Sequence, residues 1–254
     1  MDLVQHSGSS WHEYATRRGE RETVRLADGT EFTLAPASRL RVPFAYTTGD
    51  RSVRLDGEAY FRVVHDTRHP FSVRANNLIV TDIGTAFDVR AYASDKAIGR
   101  VAVVDGTVGV RVWGGVAGLR IGRAPETLSA GDVGVVTDTA VHVTRSPDIG
   151  RFVAWMQGGL VFNDTPLRDA VRDLERAYDI DIAISDSTLL SQPITARFSA
   201  EPVDQVLEAV TVAVGAQYHR TGRRVVIARR PAAHRGGRGV QTLVRVVPAL
   251  DVRE

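Results

Sequence analysis

The sequence predicts a two-domain protein. The first domain is all-β, read as a β-solenoid or prism or as a sandwich-like stack; the second is a small α/β domain with duplicated βαβ units. Three observations carry this reading. Residues 24–143 alternate apolar and polar side chains with period 2. Glycines recur through that region at intervals of 22–28 residues. After Pro147 the pattern changes to a strand–proline–helix–strand order that occurs twice, 36 residues apart.

The alternation begins at Val24 and Leu26, which flank Arg25, and continues through Phe32/Leu34, Val53/Leu55 and Phe61/Val63. Phe71/Val73, Phe87/Val89 and Val108/Val110/Val112 extend it. Successive strand side chains point to opposite faces, so this is the signature of half-buried antiparallel strands. Asp28-Gly29, Asp56-Gly57, Asp105-Gly106 and Gly131-Asp132 punctuate the pattern and are expected to form tight hairpin turns. The spacing of Gly29, Gly57, Gly84, Gly106 and Gly131 fits stacked β units or a plain sandwich of similar hairpins.

Leu160-Val161-Phe162 reads as a strand that leads into Asp164-Thr165-Pro166. Thr165 is expected to cap a helix with Pro166 at its first position, where a missing N–H costs nothing. Leu167, Ala170, Val171, Leu174 and Tyr178 follow at helical spacing, and Ile180, Ile182 and Ile184 alternate as the next strand. Phe198, Pro202 and Leu207 repeat Phe162, Pro166 and Val171 at an offset of 36 residues. Residues 224–228 close the second unit. The boundaries read as a polar amino-terminal segment 1–22, the β domain 23–147, a linker 148–158, the α/β domain 159–229 and a tail 230–254.

Composition narrows the function. The chain has 254 residues, no cysteine, and a net charge of +2 from 32 basic and 30 acidic side chains. Disulfides, thiol nucleophiles and cysteine-ligated zinc are excluded, and no strong global field favours nucleic acid. No stretch has the 18 or so uninterrupted apolar residues of a membrane-spanning helix. Gly114-Gly115-Val116-Ala117-Gly118 lacks phosphate-loop spacing and reads as a hairpin connection. No Gly-x-Ser-x-Gly elbow is present. His65 and His69, beside Asp66, precede Pro70 and read as a turn, not a metal pair. Asp179, Asp181 and Asp186 read as the solvent face of a strand, and Trp155 as a buried hinge between the domains. These features predict a binding protein with no catalytic residues, no cofactor and no metal. The candidate partner-binding residues are Arg223, Arg224, Val225, Val226 and Ile227, the last regular strand before the tail. That strand is read either as a sheet edge, open to strand addition, with its arginines steering an acidic partner, or as a central strand whose arginines serve only solubility.

Several strings, taken together, resemble the FecR-type anti-sigma regulators. Val24-Arg25-Leu26-Ala27-Asp28-Gly29-Thr30 is similar to the opening of that family's sensor region. Leu55-Asp56-Gly57-Glu58-Ala59-Tyr60-Phe61-Arg62-Val63 resembles its Leu-x-Gly-Glu-Ala-x-Phe-x-Val core. Pro70-Phe71-Ser72-Val73, Gly84-Thr85-Ala86-Phe87-Asp88-Val89 and Val104-Asp105-Gly106-Thr107-Val108 follow in family order, as does the run from Ala154 to Leu167. The match extends from about residue 14 to 228.

The resemblance implies a periplasmic sensor region, with a FecR domain followed by a short secretin/TonB amino-terminal-like domain. It implies a partner, the periplasmic signalling domain of a TonB-dependent outer-membrane receptor for iron, a siderophore or a similar nutrient. It implies an extracytoplasmic-function sigma factor held by a cytoplasmic helical domain, which lies beyond a single membrane helix. This chain shows neither of those two elements and is expected to be the periplasmic portion alone. The other function class consistent with the residues is a cell-envelope or carbohydrate-binding β module with no transcriptional role.

Overall fold

The computed structural model describes residues 11–46, 51–82, 84–95, 97, 99–112, 124–137, 140–146 and 148–230. The first domain contains β1 (Trp11–Ala15), β2 (Glu22–Arg25), β3 (Glu31–Leu34), β4 (Arg39–Pro43) and β5 (Ser52–Arg62). It continues with β6 (Phe71–Ala75), β7 (Leu78–Asp82), β8 (Ala86–Ala91), β9 (Gly99–Asp105) and β10 (Thr107–Val112). β11 (Glu126–Ser129), β12 (Asp132–Val136) and β13 (Val141–Arg145) complete it. All thirteen join one sheet, which follows the path β11-β10-β7-β6-β5-β8-β9-β12-β13.

The long strand β5 makes that continuity possible. Its first half pairs with β4 and β6, and its second half pairs with β3 and β8. Between the halves stands Gly57 at φ 109°, where a Cβ would come within 2.5 Å of the Ser38 hydroxyl. Only glycine turns the strand here without strain. The sheet therefore folds back on itself as two facing layers, a nearly closed barrel-like wall. Phe32, Phe61, Phe71 and Phe87 fill the space between the layers. Phe61 lies 5.5 Å from the Phe71 ring and 5.4 Å from the Phe87 ring.

Three expectations are corrected here. Of the Asp-Gly pairs, Asp28-Gly29 forms a hairpin turn, between β2 and β3. Gly57, Gly84, Gly106 and Gly131 instead stand where the chain passes from one layer to the other. The hairpins β6–β7, β8–β9, β10–β11 and β12–β13 alternate between layers, and this alternation is the origin of the regular glycine spacing. Strands within each hairpin run antiparallel, so the domain is a folded wall of similar hairpins and not a solenoid or prism. The amino-terminal segment is also more than a polar leader, because β1 pairs with β4 along its whole length.

Two 3-10 turns, Ile149–Phe152 and Ala154–Gln157, form the linker. The second domain then runs β14 (Gly159–Pro166), α1 (Leu167–Tyr178), β15 (Asp181–Ile184), β16 (Pro193–Ser199), α2 (Val203–Ala213), β17 (Ala216–Thr221) and β18 (Arg224–Arg229). Its core is separate from the first. Leu167, Leu174, Leu189, Leu207, Val225 and Ile227 lie at its centre. Pro166 and Pro202 occupy the residue before each helix, one position earlier than expected, and Thr165 does not cap α1. The Thr165 hydroxyl instead accepts from the Asn163 N–H.

The strand–helix–strand order recurs twice, but the strands that bracket each helix do not share a sheet. β14 pairs antiparallel with β16 as a two-stranded ribbon. β15 pairs parallel with β18, and β17 antiparallel with β18. Each helix thus carries the chain from the ribbon to the three-stranded sheet, and closed βαβ units do not form. No helix among the described residues is long and apolar enough to cross a membrane. The tail from Pro231 onward and Gly114–Gly118 lie outside the described residues.

Candidate functional site

The period-2 pattern that buries Phe61, Phe87 and Val89 sends Glu58, Asp88, Arg90 and Arg100 to the opposite face of their layer. Register places three of them in one cross-strand row, with Glu58 opposite Arg90 and Arg90 opposite Arg100. A charged row on an outer face is ordinarily solvated. Here the linker turns and α1 cover it, and Glu58 and Asp88 are 4% and 0% exposed.

The covering elements answer the charges. Arg90 donates to Asp173 of α1 at 2.7 Å and to Asp95 at 2.7 Å, and lies 3.4 Å from Glu58. Arg176, one helical turn beyond Asp173, donates to it at 2.6 Å and to the Ser94 hydroxyl at 3.1 Å. Its guanidinium lies 3.9 Å from the centre of the Tyr92 ring. Arg100 donates to Glu58 at 3.0 Å and stacks on Phe152 of the linker at 4.8 Å. Trp155 donates from Nε1 to Asp88 at 3.1 Å. The expected interdomain position of Trp155 is where the structure places it.

The amino-terminal segment grips α1 from its other end. Gly19 N–H donates to the Arg176 carbonyl at 2.7 Å, and Arg18 donates to the Glu175 carbonyl at 2.9 Å. The last carbonyls of a helix have no intrahelical partner, and a cation there also suits the helix dipole. Arg18 further pairs with Asp181 at 2.7 Å.

Burial and charge set the protonation of this cluster. Burial raises Glu58, against the pull of Arg90 and Arg100. Burial, followed by the neighbouring Glu58 charge, holds Asp88 well above the usual carboxylate range. Asp173 goes the other way. Burial opposes its ionisation, but the Arg90 and Arg176 guanidinium groups outweigh that and hold it low.

Between the domains lies a cavity of about 220 Å³. Its wall includes Arg100, Arg151, Phe152, Trp155, Gly158, Gly159, Glu58 and Asp173. The cluster around it can hold two domains in one orientation and can receive a charged group. It holds no nucleophile–base pair.

The other singled-out residues fall elsewhere. β18 is the central strand of its sheet, with Val225 and Ile227 fully buried, so Arg223, Arg224, Val225, Val226 and Ile227 are not an open edge. The outer strands are β15 and β17. Arg223 pairs with Asp179 at 2.7 Å. Asp181 and Asp186 pair with Arg18 and Arg229, so the three carboxylates are ion-pair partners. His69 bonds Asp66 at 2.9 Å in an exposed turn. Among the described residues no three His, Asp or Glu side chains group to hold a metal. The sequence reading missed Glu58, Asp88, Arg90, Arg100, Asp173 and Arg176. The available signal was a run of charge on the outward positions of three consecutive paired strands.

Comparison with known proteins agrees with this architecture. Residues 12–109 match the family model described as FecR protein, and residues 159–227 match the one described as FecR, C-terminal. Two crystal structures of a proposed anti-sigma factor from Parabacteroides distasonis, at 2.50 Å and 1.65 Å, resemble the chain at 29% identity. Their TM-scores are 0.77 and 0.76; the alignments cover 87% and 86% of this chain and 99% of each of those. No curated protein sequence matches. The two family models together span about two thirds of the chain, in family order, and the chain belongs to the FecR family.

Proposed function

We propose that this chain is the periplasmic signal-receiving region of a FecR-like anti-sigma regulator, and that it works by binding and not by catalysis. In this reading it binds the signalling domain of a TonB-dependent outer-membrane receptor. It relays that event to an extracytoplasmic-function sigma factor controlling uptake of iron, a siderophore or a similar nutrient. The observation that carries the reading is the pair of FecR family domains in tandem. The likeness to a proposed anti-sigma factor over nearly the whole of that chain supports it.

The ion-paired junction supports a relay. A push on the second domain reaches the first through α1, which Arg90, Gly19 and Arg18 hold by three direct bonds. Docking is assigned to the outer strands β15 and β17, which have no strand partner on one side; on β15 the outward Ile182 N–H is taken by Glu175 at 2.8 Å, and the outward Ile184 N–H has no strand acceptor. The exposed Arg223 and Arg224 stand beside the start of β15, Arg224 in register with Asp181, and steer an acidic partner to that edge.

The test is a transcription reporter for the controlled uptake genes, in cells whose regulator carries this region with Ile184→Pro in β15, whose N–H faces away from β18. The reading expects loss of the response to the receptor's ligand while the regulator stays at normal abundance. An unchanged response would move docking away from this edge, and an unchanged response on deletion of the whole region would end the reading.

A further inference from the structure

We propose that the junction cavity binds a small organic carboxylate. Five arginines, Arg21, Arg90, Arg100, Arg151 and Arg176, line it against two carboxylates, Glu58 and Asp173. Three of the five spend their charge on the network described above. Arg21 and Arg151 have no ion-pair partner among the described residues, and the Arg151 guanidinium lies over the Phe152 ring, 4.5 Å from its centre. Two guanidinium groups at one cavity therefore lack an anion.

A second, independent observation points the same way. Arg100 Nε is buried and has no hydrogen-bond acceptor, although Arg100 stands in the cavity wall. A buried guanidinium N–H is costly to leave unmade. Its neighbour Asp88 also carries a buried orphan oxygen, Oδ2, 3.7 Å from Arg100 Nη2. Burial and the neighbouring Glu58 charge disfavour the ionised form of Asp88, so it offsets Arg100 less than a free carboxylate would.

The shape selects the class of anion. A guanidinium fork matches a carboxylate in two parallel bonds. Trp155, Leu160 and Phe162 supply apolar side chains to the same wall, which suit a hydrocarbon body. The volume holds a molecule of a few carbons. This inference stands on the chain's own residues and does not depend on the receptor-domain partner.

The test is calorimetric titration of the chain with sodium succinate, at ionic strength matched with sodium chloride. The expected result is saturable binding of one succinate per chain. Arg151→Gln weakens it about tenfold, the ratio for loss of one charge-assisted hydrogen bond. Arg145→Gln, a distant exposed arginine paired with Asp132, leaves it unchanged. Neutral succinamide does not bind. A short Asp/Glu peptide that binds and is displaced by succinate would show that the same carboxylate site also accepts a side-chain source. No saturable heat with either probe, or equal affinity in Arg151→Gln and the parent chain, would overturn the proposal.

Discussion

Arg90 of β8 and Asp173 of α1 meet at 2.7 Å across the domain junction, 83 residues apart in sequence. Both side chains are mostly buried, 17% and 21% exposed, and each is the other's principal counter-charge. Removing Asp173 leaves Arg90 and Arg176 to share Asp95 and Glu58 at a mostly buried site. Asp173→Asn should destabilise the chain by about 3 kcal/mol. Urea unfolding followed by tryptophan emission measures this, and hydrogen exchange should show the loss concentrated in α1 and the linker.

The pH dependence of the junction has a definite sign. Asp173 has a lowered folded-state pKa, so its contribution is present above the unfolded value of about 3.9 and fades as pH falls below it. Asp88 has a raised folded-state pKa, so its contribution is complete below about 3.9 and is lost as pH rises toward its folded value. Asp88→Asn keeps an acceptor for Trp155 Nε1 and removes the ionisation. As pH rises from about 4, stability should therefore decline less steeply in Asp88→Asn than in the parent chain.

A second buried pair secures the β2–β3 turn. Arg51 donates to Asp28 at 2.7 Å and 2.9 Å, and the Tyr46 hydroxyl donates to the same oxygen at 2.9 Å. Asp28→Ala strands both donors and should cost about 3 kcal/mol. Chemical denaturation of the variant checks this, with no change expected at the domain junction.

Gly57 makes β5 serve both layers. Gly57→Ala forces a Cβ into the Ser38 side chain at a φ that L-residues avoid. It should lower stability by 2 kcal/mol or more, roughly. Thermal unfolding would show it, and Gly57→Ala with Ser38→Gly should recover part of the loss.

Much of this fold was legible. The two-domain division, the β character of the first domain and the apolar faces of α1 and α2 follow from periodicity, because burial enforces it. The pairing partners did not follow. Gly57 and Gly106 share a turn-like Asp-Gly signature with Gly29, yet they change layer, since local φ preference says nothing about which sheet comes next. The helices of the second domain were legible, but the strands around them were assigned to one sheet when they belong to two. The site was the least legible part. Glu58, Arg90 and Asp173 are ordinary outward-facing charges in their own elements, and only the docking of α1 over β8 buries them together.

The central claim is that this region receives its signal from a receptor's periplasmic signalling domain through the edges of the three-stranded sheet. The most direct measurement is calorimetric titration of the chain with that isolated domain, comparing Ile184→Pro in β15, whose N–H faces away from β18, with Val226→Pro in β18. Val226 lies in the central strand, so a proline there removes a ladder donor inside the sheet and should unfold the second domain. Ile184→Pro should leave a folded chain that has lost saturable binding. Full binding by folded Ile184→Pro and by an equivalent β17 variant, or no binding by the parent chain, would contradict the account.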